Sequence, residues 1–272
     1  MTTAVITGGA SGLGRALGER SAALGMDVVL LDLDGDRAAA EATALAEAHG
    51  TTCVGQRVDV ADAASVDAAA AAIESRFGGV DLVVSNVGVQ LFGSVEQFTD
   101  EEWRWVLDVN VIGSARIARA FTPLLRRAEH GHLAFTTSSS ILDPASRLAA
   151  YQSSKFAVWG LAETLRLELA GDGIGVTTIF PSGMASRHLE TSEAAQPDHL
   201  RRSIANEGDF DAMIASNPEM ASMLATPEDA AVGVIEAILA GEPYVITHGD
   251  LRGAVAARSD DLAGAAEAAI DS

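Results

Sequence analysis

Thiols, aromatic rings and positive charge are all scarce in this chain. Its one cysteine, Cys53, excludes an internal disulfide framework and any multi-thiolate metal site. Cys53 lies in the apolar stretch 51–58, where a thiol is expected to pack as a small inert core group rather than act as a nucleophile. Aromatics make up 5% of the residues, so the core must be built from small aliphatic side chains and close helix packing. Lys and Arg number 18 against 38 Asp and Glu, a net charge of −20. A surface of that sign is repelled by phosphate backbones and anionic lipid, which argues against nucleic-acid and membrane-surface partners. No apolar run approaches the ~20 residues of a membrane span. The start, Met1 to Thr7, has neither a basic leader nor a long apolar h-region, so a reducing cytoplasm is the expected setting. The six histidines show no metal-ligand spacing: His130 and His132 flank a glycine beside a turn, and no metal is expected.

What the chain has is a core. Hydrophobic residues are 48% and charged residues 21% of 272, too apolar for a disordered chain. Short runs at 4–7, 27–32, 53–58, 82–85, 132–137, 175–180 and 244–247 are read as strands; those at 27–32 and 82–85 are nearly continuous in Val and Leu, as strands buried on both faces require. Ala-rich amphipathic stretches near 12–25, 36–49, 62–77, 99–129, 150–171 and 227–240 alternate with them. Asp62, the pair Thr99 and Glu102 at capping-box spacing, and Thr226-Pro227-Glu228 mark helix starts. The rhythm predicts an α/β, Rossmann-type, doubly wound parallel sheet of about seven strands with helices on both faces. With no linker rich in Pro, Gly or Ser, residues 1–272 are expected to form a single domain. Residues 182–225 hold a polar, Met-dotted segment without a clear strand, expected to be a lid over a site. Residues 251–272 are expected to be a surface helix or a frayed tail.

The first strand runs into Thr7-Gly8-Gly9-Ala10-Ser11-Gly12-Leu13-Gly14. Glycines at a strand-to-helix turn let the backbone bend and approach a ligand. The following helix N-terminus offers free N–H groups to a phosphate. The spacing, Gly-x₃-Gly-x-Gly, differs from the Gly-x-Gly-x₂-Gly dinucleotide fingerprint. Asp32 ends the second strand eighteen positions after Gly14, where a carboxylate would hold a ribose 2′-hydroxyl and repel a 2′-phosphate. Arg37 is the nearby cation that could serve NADP, so NAD is favoured over NADP. Further on, Tyr151 and Lys155 stand four apart on a helix and share one face. An ammonium there is expected to favour the phenolate and lower the tyrosine pKa from its usual value near ~10. Ser138 ends the fifth strand thirteen residues upstream of Tyr151.

Taken in order over roughly residues 4–186, these motifs resemble those of the short-chain dehydrogenase/reductase family. Thr7 to Gly14, with Gly8, Ser11, Gly12, Leu13 and Gly14, match its cofactor turn. Asp59-Val60 match the pair that lies against adenine, and Ser85-Asn86-Val87-Gly88 resemble its Asn-Asn-Ala-Gly element, with Ser85 and Val87 departing from it. Pro181-Ser182-Gly183-Met184-Ala185-Ser186 resembles its Pro-Gly element. There Met184 would cover the nicotinamide and Ser186 replaces the usual threonine. The resemblance implies a catalytic tetrad of Asn110, Ser138, Tyr151 and Lys155. In it Ser138 binds the substrate oxygen, Tyr151 exchanges the proton, Lys155 holds the nicotinamide ribose, and Asn110 orders a water. It also implies a homodimer or homotetramer formed through helices spanning 99–129 and 150–171.

The expected activity is interconversion of a secondary alcohol and a ketone with NAD(H). Two alternatives stay open: an NADPH-dependent carbonyl reductase, and an NAD-binding regulator without turnover. Gln90, Leu91, Ser138, Ser140, Leu142, Tyr151, Met184 and Leu189 are candidate substrate contacts. Cations in the same segments are few (Arg147, Arg187, Arg201 and Arg202), which favours a neutral, fairly apolar small molecule. Met213, Met220 and Met223 suit an adaptable hydrophobic pocket, and equally a plain amphipathic helix. Trp103, Val106, Phe121 and Phe156 could serve the core or a subunit interface.

Overall fold

A computed structural model describes residues 2–201, 207–218 and 223–270; Arg202 and Met220 lie outside them. Seven strands form one parallel sheet in the order β3-β2-β1-β4-β5-β6-β7. They are β1 (Thr3–Thr7), β2 (Asp27–Asp32), β3 (Cys53–Arg57), β4 (Leu82–Ser85), β5 (His132–Thr136), β6 (Gly175–Phe180) and β7 (Tyr244–Ile246). Successive side chains of a strand point to opposite faces, and the core divides accordingly. Val5, Val29, Val83 and Phe135 pack on one face with Ile73, Ile117, Phe121 and Val158. Ala4, Ile6, Val28, Leu30 and Val84 pack on the other with Leu17, Leu45 and Ile235. The first face is covered by α3 (Ala63–Phe77), α5 (Gly113–Leu125) and α6 (Ala149–Leu169), the second by α1 (Gly12–Ala23), α2 (Gly35–His49) and α10 (Val234–Leu239). The chain winds outward from β1 through β2 to β3, then returns to β4 on the other side of β1. That reversal opens a crevice at the carboxyl ends of β1 and β4, where ligands bind in open α/β sheets.

Three stretches differ in detail from the sequence expectation. The helix expected over 99–129 is α4 (Asp100–Leu107), a π-helical turn (Asp108–Ile112) and α5, which carries Pro123 and ends at Leu125. The helix expected over 227–240 breaks into α9 (Pro227–Ala230) and α10, because Gly233 takes a left-handed conformation (φ 76°). The segment 182–225 contains α7 (His188–Ala194) and α8 (Glu207–Ser216), and Met184 bridges to Ala225 in parallel fashion.

The C-terminal stretch is a helix, α11 (Arg252–Ile270), exposed along almost its whole length. It is tied back by Arg258, which donates to the Ile141 carbonyl and lies over the Phe156 ring. Val106 and Phe121 are core residues, Trp103 is half-buried, and Phe156 is exposed. Cys53 is half-buried against the second face, with the Thr51 hydroxyl 3.4 Å from its sulfur. Among the described residues no helix is long and apolar enough to cross a membrane, and no group of His, Cys, Asp and Glu could hold a metal ion.

Candidate active site

The glycine turn leaves β1 at Thr7, whose hydroxyl accepts from Asn86 N (2.9 Å) and Val87 N (3.1 Å). Asn86 in turn donates to Thr7 O (3.1 Å) and accepts from the Thr136 hydroxyl (3.0 Å), joining the ends of β1, β4 and β5. Gly8 adopts φ 66° and Gly12 φ 53°, values that disfavour any side chain. At Gly14 a Cβ would sit 2.1 Å from the Gly8 carbonyl oxygen, so the turn closes only on glycine. Ser11 is the N-cap of α1, yet its hydroxyl makes no capping bond. Leu13, in the first turn of that helix, is buried. The first-turn N–H groups of α1 are therefore left for an incoming anion.

Asp32 is drawn against this turn: its carboxylate accepts from Ala10 N (3.0 Å) and Asp34 N (3.1 Å). Asp59 accepts from Ala61 N (2.9 Å), and Val60 is buried against Gly113, where a Cβ would approach within 2.9 Å of it. Across the crevice stand residues 181–186. The Pro181 carbonyl accepts from Ser139 N (2.8 Å), and Ser186 faces Gly12, whose added Cβ would lie 3.9 Å from it. Gly183 O accepts from Ala225 N (3.1 Å) and from His248 Nε2 (2.9 Å). His248 Nδ1 then accepts from the Thr247 hydroxyl (2.7 Å), which fixes the imidazole tautomer. The end of β7 thus holds the loop that bears Met184. Between turn and loop lies a cleft of about 370 Å³ lined by Ser11, Gly12, Arg15, Arg37, Glu41, Ser186 and Arg187, among others.

Tyr151 sits in the first turn of α6, half-buried, within the influence of the Ser138 hydroxyl. Ser138 Oγ also accepts from Ser140 N (3.2 Å). Lys155 is the only lysine in the chain. Its Nζ lies 5.7 Å from the centre of the Tyr151 ring and donates to Thr136 O (3.0 Å). It fits there because Gly88 has no side chain: a Cβ would lie 2.9 Å from Nζ. Burial lowers the Lys155 pKa to about 8. It also pushes the Tyr151 pKa up, against the opposing pull of the Ser138 hydroxyl. The expected lowering of the Tyr151 pKa by Lys155 is thus corrected, since removing the phenolate from water outweighs the pull of Ser138.

Asn110 is completely buried in the π-helical turn. Its Oδ1 accepts from Val89 N (2.8 Å), and its Nδ2 donates to Val89 O (2.9 Å) and Ser154 Oγ (2.8 Å). Both amide N–H groups are committed, so the side chain clamps the loop after β4 to α6 and has no donor left for a water.

Beyond Tyr151 lies a separate apolar cluster of Phe92, Ala145, Leu148 and Met213, with Tyr151, Leu189 and Ile214 packed on it. α8 is docked over it: Ser146 N donates to Ser216 Oγ (2.8 Å), Ser146 Oγ to Ala212 O (3.1 Å), and Arg147 Nε lies 3.6 Å from Asp209. Ser140 is buried with its hydroxyl unpartnered, Leu142 is half-buried, and Gln90 N donates to Ser192 Oγ (3.2 Å). Leu91 is wholly buried in the central core, which removes it from the candidate substrate wall.

The sequence reasoning missed His188. Its ring lies 6.3 Å from that of Tyr151, and burial together with the charge of Lys155 lowers its pKa to about 4. Its signal was a histidine two residues past Ser186, in a segment without periodicity. Among the described residues, the cations of the candidate substrate segments are paired: Arg187 with Glu190 (2.7 Å), Arg201 with Asp198 (3.1 Å) and Arg147 with Asp209 (3.6 Å).

The short chain dehydrogenase family model matches residues 2–197, and the chain belongs to that family. It is 34% identical to the D-threitol dehydrogenase of Mycolicibacterium smegmatis over 66% of this chain and 68% of that one. It is 36% identical to 3beta-hydroxysteroid dehydrogenase 1 of Eggerthella lenta over 72% of this chain and 75% of that one. A short-chain dehydrogenase/reductase from Burkholderia phymatum, solved with NAD, superposes with a TM-score of 0.86 at 33% identity, covering 96% of this chain and 94% of that one. Solved relatives hold NAD in that case and NADPH in another. The chain is an oxidoreductase of the nicotinamide-dependent kind. A polyol and a steroid named among its relatives leave the substrate to be argued from the site.

Proposed function

We propose that this protein is an NAD(H)-dependent dehydrogenase that interconverts a secondary alcohol and a ketone on a small-to-medium, neutral, fairly apolar molecule. The carrying observation is the buried Lys155, whose ammonium lies 5.7 Å from the Tyr151 ring and bonds the Thr136 carbonyl, beside Ser138 at the carboxyl edge of the sheet. A dinucleotide fits the crevice: the uncapped start of α1 faces its phosphates, and the cleft beside Ser11 and Gly12 gives it room. Gly8, Ser11, Gly12, Leu13 and Gly14 would hold the pyrophosphate, Asp32 the adenine ribose, and Asp59 and Val60 the adenine, with Asn86, Val87 and Gly88 as a wall of the cofactor site. Pro181, Gly183, Met184 and Ser186 would wall the nicotinamide, with Tyr151 and Lys155 on its ribose. Bound there, the cofactor supplies the hydride acceptor in oxidation and the donor in reduction.

Ser138 donates to the substrate oxygen and fixes it next to the Tyr151 hydroxyl. Tyr151 takes the carbinol proton as general base and returns it as general acid. Lys155, with a pKa of about 8, is mostly charged at neutral pH, and its ammonium favours the phenolate once Tyr151 deprotonates. Asn110 keeps the loop after β4 in register with α6. The apolar body of the substrate rests on Phe92, Leu189 and Met213, with Gln90, Ser140 and Leu142 at the edge. The choice of NAD rests on Asp32, whose carboxylate suits a ribose diol and opposes a 2′-phosphate.

The single-domain reading of 1–272, the cytoplasmic setting and a homodimer or homotetramer belong to the same proposal. Nicotinamide absorbance, followed with a panel of secondary alcohols and ketones and with NAD and NADP side by side, tests it. Turnover with NAD on neutral substrates is expected; binding of NAD without turnover of any substrate would refute it.

A further inference from the structure

Glu41 has no place in the mechanism, yet it lines the cleft beside the glycine turn. It lies in the second turn of α2, and its carboxylate takes Arg15 Nε at 2.8 Å and stands 3.8 Å from Arg37 Nε. Arg15 is held further by Glu19 (3.1 Å) and Glu228 (3.3 Å), whereas Glu41 is the carboxylate that Arg37 meets. Both guanidiniums line the same cleft as Ser11 and Gly12, and the carboxylate of Asp32 is bonded to Ala10 in that turn. A phosphate on the 2′-oxygen of a ribose held by Asp32 would therefore enter a cleft that already contains two arginines, the side chain best shaped to grip it.

We propose that Glu41 is a cofactor-selectivity residue, which occupies Arg15 and Arg37 and so withholds them from a 2′-phosphate. The proposal rests on the preference for NAD argued above. Asp32 opposes the 2′-phosphate by direct repulsion, and Glu41 removes the compensation that the two arginines would provide. Specificity of this kind acts by denying the wrong ligand a partner rather than by improving contacts to the right one. These groups are partly exposed, so the effect shrinks as salt is raised.

The test uses the full-length protein and two nucleotides that differ only in the 2′-phosphate, 5′-AMP and adenosine 2′,5′-bisphosphate, titrated by calorimetry at low salt. Wild type is expected to prefer 5′-AMP. Glu41→Gln should move the ratio of the two affinities about tenfold toward the bisphosphate, the scale of one new charge-assisted hydrogen bond. Adding Arg15→Gln and Arg37→Gln together to Glu41→Gln should cancel that gain, and the ratio of kcat/KM for NADP and NAD should move with the affinity ratio in each variant. A ratio that shifts less than about twofold in a folded Glu41→Gln variant, or a gain that survives removal of both arginines, overturns the role of Glu41 and leaves the NAD reading intact. A wild-type preference for the bisphosphate overturns both.

Discussion

Lys155 is the chain's single lysine, and it is buried beside one of its two tyrosines. Its pKa of about 8 lies below the ordinary lysine value of 10.5. Below pH 8 the folded and unfolded chains both carry the proton, and the fold bears the cost of burying the charge. Between pH 8 and 10.5 the unfolded chain keeps a proton that the folded one has lost, so the Lys155 contribution to stability rises with pH. The size of that change is about 3 kcal/mol. Ligand-free Lys155→Met is therefore expected to be more stable than wild type at neutral pH and to lose turnover. Its advantage should shrink as pH rises from 8 toward 10.5, as read by denaturant midpoints. An advantage independent of pH would show that charge burial is not the cause.

His188 adds a second linkage. With a folded pKa of about 4 against the usual 6.5, it contributes stability that is present above pH 6.5 and lost as pH falls toward 4. His188→Gln should flatten the loss of stability between pH 6.5 and 4, and an unchanged slope would place the titrating group elsewhere.

At the scale of elements, the π-helical turn Asp108–Ile112 directs Asn110 inward to bind Val89 and Ser154. Asn110→Leu would leave the Val89 N–H, the Val89 carbonyl and the Ser154 hydroxyl each short of a buried partner, at about 1–3 kcal/mol apiece. A lower denaturant midpoint at constant slope, together with a fall in kcat, is the expected result. A lower kcat at unchanged stability would instead point to a direct part in the chemistry.

This element also marks where sequence reading stops. The central strands were legible because runs such as Val28–Leu31 are apolar at every position, as burial on both faces requires, whereas the edge strands β3 and β7 are only partly buried. The glycine turn, Asp32 and the Tyr151/Lys155 pair were legible because their spacing is local. A π-helical turn changes no residue type, so 99–129 reads as one helix, and nothing in sequence distinguishes Gly233 as a left-handed break. Tyr151 was expected to be shifted downward because an adjacent Lys155 is visible in sequence. The burial that reverses the sign comes from elements far along the chain. His188 was hidden for the same reason: α7 brings it to Tyr151 only after β6 and the loop through Ser186 have been placed.

At the scale of the whole molecule, a chain of net charge −20 must admit an anionic dinucleotide. Its attraction is confined to the first turn of α1 and to Lys155, within a few ångströms, while the repulsion is spread over the surface. Salt screens the long-range part first. The association rate of NADH, followed by stopped-flow fluorescence, is expected to rise as NaCl goes from about 10 to about 150 mM. A rate that falls over that range would mean that a positive funnel leads into the crevice.

The central claim is that Tyr151, set beside Ser138 and Lys155, moves the proton in a reaction that NAD completes. The most direct test compares wild type with Tyr151→Phe, measuring steady-state turnover of a secondary alcohol and NADH affinity on the same preparations. The account predicts a loss of turnover of at least about a hundredfold, the ordinary contribution of a positioned acid–base group, with NADH affinity within about threefold of wild type, since no bond from the Tyr151 hydroxyl is needed to seat the pyrophosphate. Tyr151→Phe with full turnover would contradict it.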